Sequence, residues 1–248
     1  MKTKLTFTCL VLFGLIAVFS ACKKEKLTTE EWMLLANDQL KEMEQLTADI
    51  PCEQQSDVTI EEFGDAFSCH LWCFPVTPSI KTRFVDFRDR FLQYRSNYVN
   101  AIQEKGGIVE ICFDQDMSFW TDTQPVRLDC VGGNVKLITT ENIDLEEAES
   151  LVVELNEQIK HYKDTVTCTG DEHWYHTAVI GDGYDDFEDI PYTPMRDYAT
   201  LKKVLSTYNS LKFRILKEKG DVGYVNIGNR IPKVECVDGK PVIRYEKQ

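Results

Sequence analysis

The sequence predicts an α+β protein made of two tandem homologous units, each with two amphipathic helices packed on a small antiparallel sheet and stabilised by disulfides. Three observations predict it. Short motifs recur in the same order in both halves, apolar residues recur at helical steps twice per half, and each half closes on a hairpin signal beside a cysteine.

The recurrence runs through the chain. Pro75-Val76-Thr77-Pro78 matches Pro191-Tyr192-Thr193-Pro194, and Cys52 after Asp49-Ile50-Pro51 matches Cys168 after Thr165-Val166-Thr167. Ile102-Gln103-Glu104-Lys105-Gly106-Gly107 matches Leu216-Lys217-Glu218-Lys219-Gly220-Asp221. Leu128-Asp129-Cys130-Val131-Gly132-Gly133 matches Val234-Glu235-Cys236-Val237-Asp238-Gly239. The offset between partners drifts only from 116 to 114 to 106, as small loop differences would give. Units of this length point to a duplicated domain rather than a solenoid. The expected boundaries are 27–140 and 141–248, behind a leader over 1–21 and a tether over 22–26.

Each unit opens with a helix. Thr28-Thr29-Glu30-Glu31 offers a capping box ahead of Trp32, Leu35, Leu40, Met43 and Leu46. In the second half Leu145, Ala148, Leu151, Leu155, Ile159 and Tyr162 share one helix face. A Cys-bearing loop and a short strand follow, Val58–Ile60 and Trp174–Ile180. A second helix then carries Phe84, Phe87, Phe91, Tyr94 and Tyr98, or Leu201, Val204, Tyr208, Leu211 and Ile215. An aromatic stripe at this spacing packs a core more often than it lines a cofactor slot, so no cofactor is expected. Gly106 and Gly220 stop these helices. Strands are expected over 108–113 and 222–227. Hairpins follow, over 126–138 around Gly132-Gly133-Asn134 and over 234–245 around Asp238-Gly239.

The first residues differ in kind. Met1-Lys2-Thr3-Lys4 is basic, and Leu5 to Phe19 is almost continuously apolar. That run is shorter than the roughly 20 residues a helix needs to cross a bilayer. It reads as a secretory signal. Ser20-Ala21-Cys22 resembles a lipobox, with Phe19 where the motif usually has Leu. The resemblance implies that Cys22 receives lipid and becomes the mature N-terminus, anchoring the chain to a membrane. Lys23 after that cysteine implies the outer membrane, on its periplasmic face or at the cell surface.

Losing residues 1–21 removes Lys2 and Lys4, so 28 basic residues become 26 against 41 acidic ones, a formal charge of −15. Such a surface repels nucleic acid and anionic headgroups, so neither is expected as a partner.

Of nine cysteines, Cys9 leaves with the signal and Cys22 carries lipid, so seven remain. Disulfides are the default in an oxidising envelope compartment. The second unit has only Cys168 and Cys236, so a bridge of its own must join them, and the repeat then suggests Cys52 with Cys130. Cys73 and Cys112 map to Asp189 and Asn226, and their joint loss suggests that they pair, leaving Cys69 odd. Cys69 with Cys112 is the alternative. A zinc site from Cys69, His70, Cys73 and Cys112 has loose spacing and no second cluster.

These positions together resemble a family of uncharacterised secreted Cys-rich lipoproteins of Bacteroidetes. Its unit has an amphipathic helix, a Cys, a Cys-Gly-Gly-Pro element, a second helix, a further Cys and a closing Val-x-Cys-x-x-Gly-Lys strand. The matching residues are Cys52, Cys73-Phe74-Pro75, Cys112 and Leu128-Asp129-Cys130, then Cys168 and Val234-Glu235-Cys236-Val237-Asp238-Gly239-Lys240. The glycines of the second element are missing here, and the resemblance carries no established activity with it.

The chain has no Gly-x-Ser-x-Gly, His-Glu-x-x-His, Gly-x-Gly-x-x-Gly or Walker loop. Two segments merit attention. His173 and His176 with Asp185 and Asp186 lie in a carboxylate-rich stretch that would suit a metal, and they define an alternative reading as a metal-dependent envelope hydrolase. Met117, Phe119 and Trp120 lie where the first unit is eight residues longer than the second (114 − 106), as a contact loop would, or as residues folded back over a sheet edge. The leading expectation is a non-enzymatic envelope module that binds a protein or glycan.

Overall fold

The computed structural model describes residues 26–64, 70–109, 123–170, 173–183, 186–194, 198–221 and 231–246. The order is α1 (Thr29–Thr47), a 3-10 turn (Cys52–Asp57), β1 (Thr59–Gly64), β2 (Leu71–Val76), α2 (Lys81–Glu104), β3 (Pro125–Val131) and β4 (Asn134–Thr139). The series then repeats: α3 (Leu145–Thr165), β5 (Tyr175–Ile180), β6 (Phe187–Tyr192), α4 (Tyr198–Glu218), β7 (Ile231–Val237) and β8 (Lys240–Glu246). The architecture is α+β, two copies of helix, hairpin, helix, hairpin. The expected small sheet of each unit is a pair of two-stranded antiparallel hairpins.

The duplication extends to strand register. Thr59 faces Val76 and Gly64 faces Leu71, while Tyr175 faces Tyr192 and Ile180 faces Phe187, the same pairs 116 residues on. Val131 faces Asn134 and Val237 faces Lys240, the same pair 106 residues on. Both closing turns hold two successive residues at positive φ: Gly132 at 62° and Gly133 at 86°, then Asp238 at 52° and Gly239 at 76°. That is the conformation a two-residue hairpin of right-handed twist requires. Glycine and aspartate tolerate it better than other residues.

Helix starts follow the sequence. Thr28 Oγ1 accepts from Glu31 N at 3.2 Å, and Glu31 Oε2 accepts from Thr28 N at 2.7 Å, the reciprocal pair of a capping box. Asp144 caps α3 by accepting from Glu146 N at 2.9 Å and Glu147 N at 3.3 Å.

β2 and β6 were not expected as strands. The sequence suggests no strand over Leu71–Val76 and puts Phe187–Asp189 in the carboxylate-rich stretch, and each of the two strands holds a proline. Pro75 and Pro191 are tolerated because each hairpin has only two strands, so a strand edge needs no donor. The strands expected over 108–113 and 222–227 fall mostly outside the described residues, and 107–109 is irregular.

Each unit has its own core. In the first, Ala36, Met43, Phe74, Val76, Phe84 and Phe91 are buried together, with Phe63 and Trp72 packed against them. Trp72 meets Phe91 edge-on at 4.8 Å, and Phe74 meets Phe84 at 5.4 Å. Of the stripe on α2, Phe84, Phe87, Phe91 and Tyr94 pack in this core as expected, and Tyr98 lies outside it. The second core is mainly aliphatic, with Val152, Leu155, Ile159, Val179, Ile190, Leu205 and Leu211.

The units touch. Val126 and Ile138, of the first unit's closing hairpin, pack against the second core. Arg127 pairs with Glu147 on α3, Nη2 to Oε2 at 3.1 Å. Arg214 Nη1 donates to Thr140 O at 3.1 Å and Ile143 O at 2.6 Å, which fastens the inter-unit segment to α4.

Candidate interaction surface

Four of the five described cysteines form two bridges. Cys52 joins Cys130 with Cα atoms 5.4 Å apart, and Cys168 joins Cys236 at 5.8 Å, both inside the ordinary disulfide range. They stand at equivalent positions and do equivalent work. Each ties the turn after the first helix to the tip of the closing hairpin. Cys52 N donates to Gly133 O at 3.1 Å and Cys168 N to Gly239 O at 3.0 Å beside the bridges. A hairpin lysine adds a third tie in each unit, from Lys136 Nζ to Ala48 O at 3.1 Å and from Lys240 Nζ to Asp164 O at 2.6 Å. A cation at a helix C-terminus also offsets the negative end of the helix dipole.

Cys73 lies on β2 with its Sγ 3.9 Å from Thr123 O. Cys69 and Cys112 lie outside the described residues, as do Cys22, Met117, Phe119, Trp120 and Asp185.

The proposed metal segment does not come together. His173 is exposed just before β5, and His176 sits on β5 opposite Pro191. Asp186 lies past the far end of the hairpin, where its backbone O accepts from Gly181 N at 2.7 Å. His176 and Gly181 are five residues apart, which at about 3.3 Å per strand residue puts His176 and Asp186 roughly 15 Å apart. Ligands of one metal sit about 2.0–2.6 Å from it, so these two cannot share one. The expectation that His176 and Asp186 act together is therefore corrected by the hairpin register. Among the described residues no group of three His, Cys, Asp or Glu side chains is placed to hold a metal ion.

His176 has another partner. Its Nδ1 lies 3.2 Å from Asp189 Oδ1 on β6, and Tyr245 on β8 donates its hydroxyl to Asp189 Oδ2 at 2.7 Å. Burial of Asp189 opposes its ionisation, but the bonds from His176 and Tyr245 prevail and hold its pKa below the ordinary value. Three strands thus meet on one carboxylate. On the opposite, core-facing side of the hairpin Tyr175, 43% exposed at the strand's start, stacks on Tyr192 at 5.6 Å, and Tyr192 stacks on Tyr198 at 4.6 Å. The outer face of the hairpin thus carries a hydrogen-bonded His–Asp pair with the exposed Tyr245 set against it.

Behind this surface α4 is fastened to β5. Asn209, fully buried, accepts from Ile180 N at 2.9 Å through Oδ1 and donates from Nδ2 to Ala178 O at 3.0 Å. Tyr208 donates its hydroxyl to Ile180 O at 3.0 Å. Burial, with Asp182, Glu188 and Asp186 nearby, raises the Tyr208 pKa, so the hydroxyl keeps the proton this bond uses.

Sequence reasoning missed Asp189 and Tyr245 because 56 residues separate them. A signal was present. The repeat aligns Asp189 with Cys73, so a titratable residue replaces a thiol at one strand position.

The surface and its frame define a duplicated, disulfide-closed α+β body. No protein-family model matches the chain, and no curated protein or solved structure matches it either. Among the described residues no helix is long and apolar enough to cross a membrane.

Proposed function

We propose that the protein is a cell-envelope lipoprotein, anchored through lipid on Cys22 in the outer membrane, whose body is a non-enzymatic interaction module for a protein or glycan. In this reading it is a member of the Cys-rich Bacteroidetes lipoproteins that its motifs resemble. One observation carries the interaction reading: two copies of one bridged frame present different outer surfaces. The second unit presents His176, Asp189 and Tyr245, where the first has Ile60, Cys73 and the buried Thr139. Holding a frame fixed while its surface diverges is how scaffolds acquire binding sites. A tyrosine beside a polar pair suits either partner class, since it combines ring area with a hydrogen-bonding tip.

The test uses the lipidated full chain against proteins and glycans of its own envelope, captured by affinity and identified by mass spectrometry. The His176→Ala/Tyr245→Ala variant should lose the captured partner while melting within a few degrees of the wild type. Capture that survives these changes would remove the second-unit surface from the account.

A further inference from the structure

The duplication provides an internal comparison at the entrance of each unit. In the second unit Ile143, just ahead of the N-cap, is 2% exposed and packed in the core. Its counterpart 116 residues earlier is Leu27, 38% exposed. The N-terminal end of α1 and the C-terminal end of α2 lie together there, joined by Lys26 to Glu104 at 3.1 Å and Lys105 Nζ to Thr29 Oγ1 at 3.4 Å. Between them is an open groove of about 430 Å³, lined in part by Met33, Leu34, Tyr98 and Ile102. Leu34 is 63% exposed, and Ile108, just beyond α2, is 95% exposed. Counterparts in the second unit are polar where exposed: Glu149 for Met33, Ser150 for Leu34 and Lys212 for Tyr98. Glu149 there pairs with Lys219 at 2.8 Å. One end of one unit thus exposes Leu27 and Leu34, while at the matching end of the other Ile143 is buried and the exposed residues are Glu149 and Ser150.

We propose that this end of the first unit, with Leu27, Met33, Leu34, Tyr98, Ile102 and Ile108, lies on the surface of the lipid bilayer that holds the N-terminal lipid. The inference rests on the lipoprotein reading above. Length decides the occupant. Four residue steps separate Cys22 from Lys26, which span at most about 14 Å. The headgroup layer of a leaflet takes up roughly 5–8 Å of that. Lys26 and Leu27 therefore stand within about one side-chain length of the headgroups, and tilting the body about that point brings Leu34 and the end of α2 to the same level. Lys23, Lys24, Lys26 and Lys105 balance Glu25, Glu30, Glu31 and Glu104 at this end, so it meets a headgroup layer with less repulsion than the rest of an acidic body would. Solvent-exposed leucine and isoleucine gain from partial insertion at such an interface.

The test is hydrogen exchange on the lipidated full chain in phosphatidylethanolamine–phosphatidylglycerol vesicles, compared with a lipidated Leu34→Glu/Ile108→Glu variant in the same vesicles. Both changed positions are exposed, so the variant should melt like the wild type. Amides of residues 26–34 and 98–109 should exchange more slowly in the wild type than in the variant, by on the order of tenfold. Equal exchange in the two proteins would overturn the proposal. So would a difference that vanishes on dilution of protein in lipid, because the cover would then be a second copy of the chain. The mass of the N-terminal peptide separates the two readings: acylated Cys22 with equal exchange removes only the docked orientation, and unmodified Cys22 removes the anchor with it.

Discussion

The two units share one set of elements and one register, yet fill it differently. Phe74 corresponds to Ile190 and Phe91 to Leu205, all four buried. Val76 corresponds to Tyr192, so at this strand position the ring is in the second unit and the aliphatic side chain in the first. Cores tolerate such exchange while total volume and patterning are kept. What stays fixed is the closure: a bridge, a backbone hydrogen bond at the hairpin tip, and a lysine on the helix end. The frame thus resides in the closure and the register more than in any one core residue.

The comparison can be broken first at the bridges. Cys52–Cys130 spans 78 residues and Cys168–Cys236 spans 68. Loop-closure entropy predicts that opening either one costs about 4 kcal/mol. Cys52→Ala/Cys130→Ala and Cys168→Ala/Cys236→Ala should therefore shift urea unfolding by nearly equal amounts. A large effect from one pair and none from the other would show that the units are not equivalent.

A second break falls where the units differ. Asn209 is fully buried and satisfies two backbone groups of β5. Its counterpart Arg95 is half-buried, with Nη1 3.4 Å from Met33 Sδ and the guanidinium 5.5 Å from the Tyr98 ring. Asn209→Ala should cost about 2–3 kcal/mol and Arg95→Ala under about 1 kcal/mol, read from denaturant midpoints.

The smallest effect is in pH. The folded pKa of Asp189 lies below its ordinary value. Its contribution is therefore full above the unfolded value of about 3.9 and is lost as pH falls through the folded one. The stability gap between wild type and Asp189→Asn should be widest near neutrality and close as the medium is acidified from about pH 5. A gap that stays constant down to pH 2 would show that the His176 and Tyr245 bonds do not depend on the charge.

Much of this frame was legible. The capping box at Thr28, the helix faces, the glycine-bearing turns and both bridges follow from local spacing or from laying one half over the other. β2 and β6 were not, because Pro75, Pro191 and neighbouring Cys or acidic residues argue locally for loops, and only pairing with β1 and β5 makes them strands. The His176–Asp189–Tyr245 contact was not legible either. It depends on how the closing hairpin lies against the inner one, and hairpin-on-hairpin placement leaves no periodic trace in sequence. The acidic stretch failed as a ligand set for the opposite reason. Its residues are near in sequence, but strand rise carries His176 away from Asp186.

The central claim is that one frame occurs twice and each copy is closed by its own disulfide. The most direct measurement is peptide mass mapping of the membrane-extracted protein without reduction. The account predicts peptides linked through Cys52–Cys130 and Cys168–Cys236. Peptides joining a cysteine of the first pair to one of the second would contradict it.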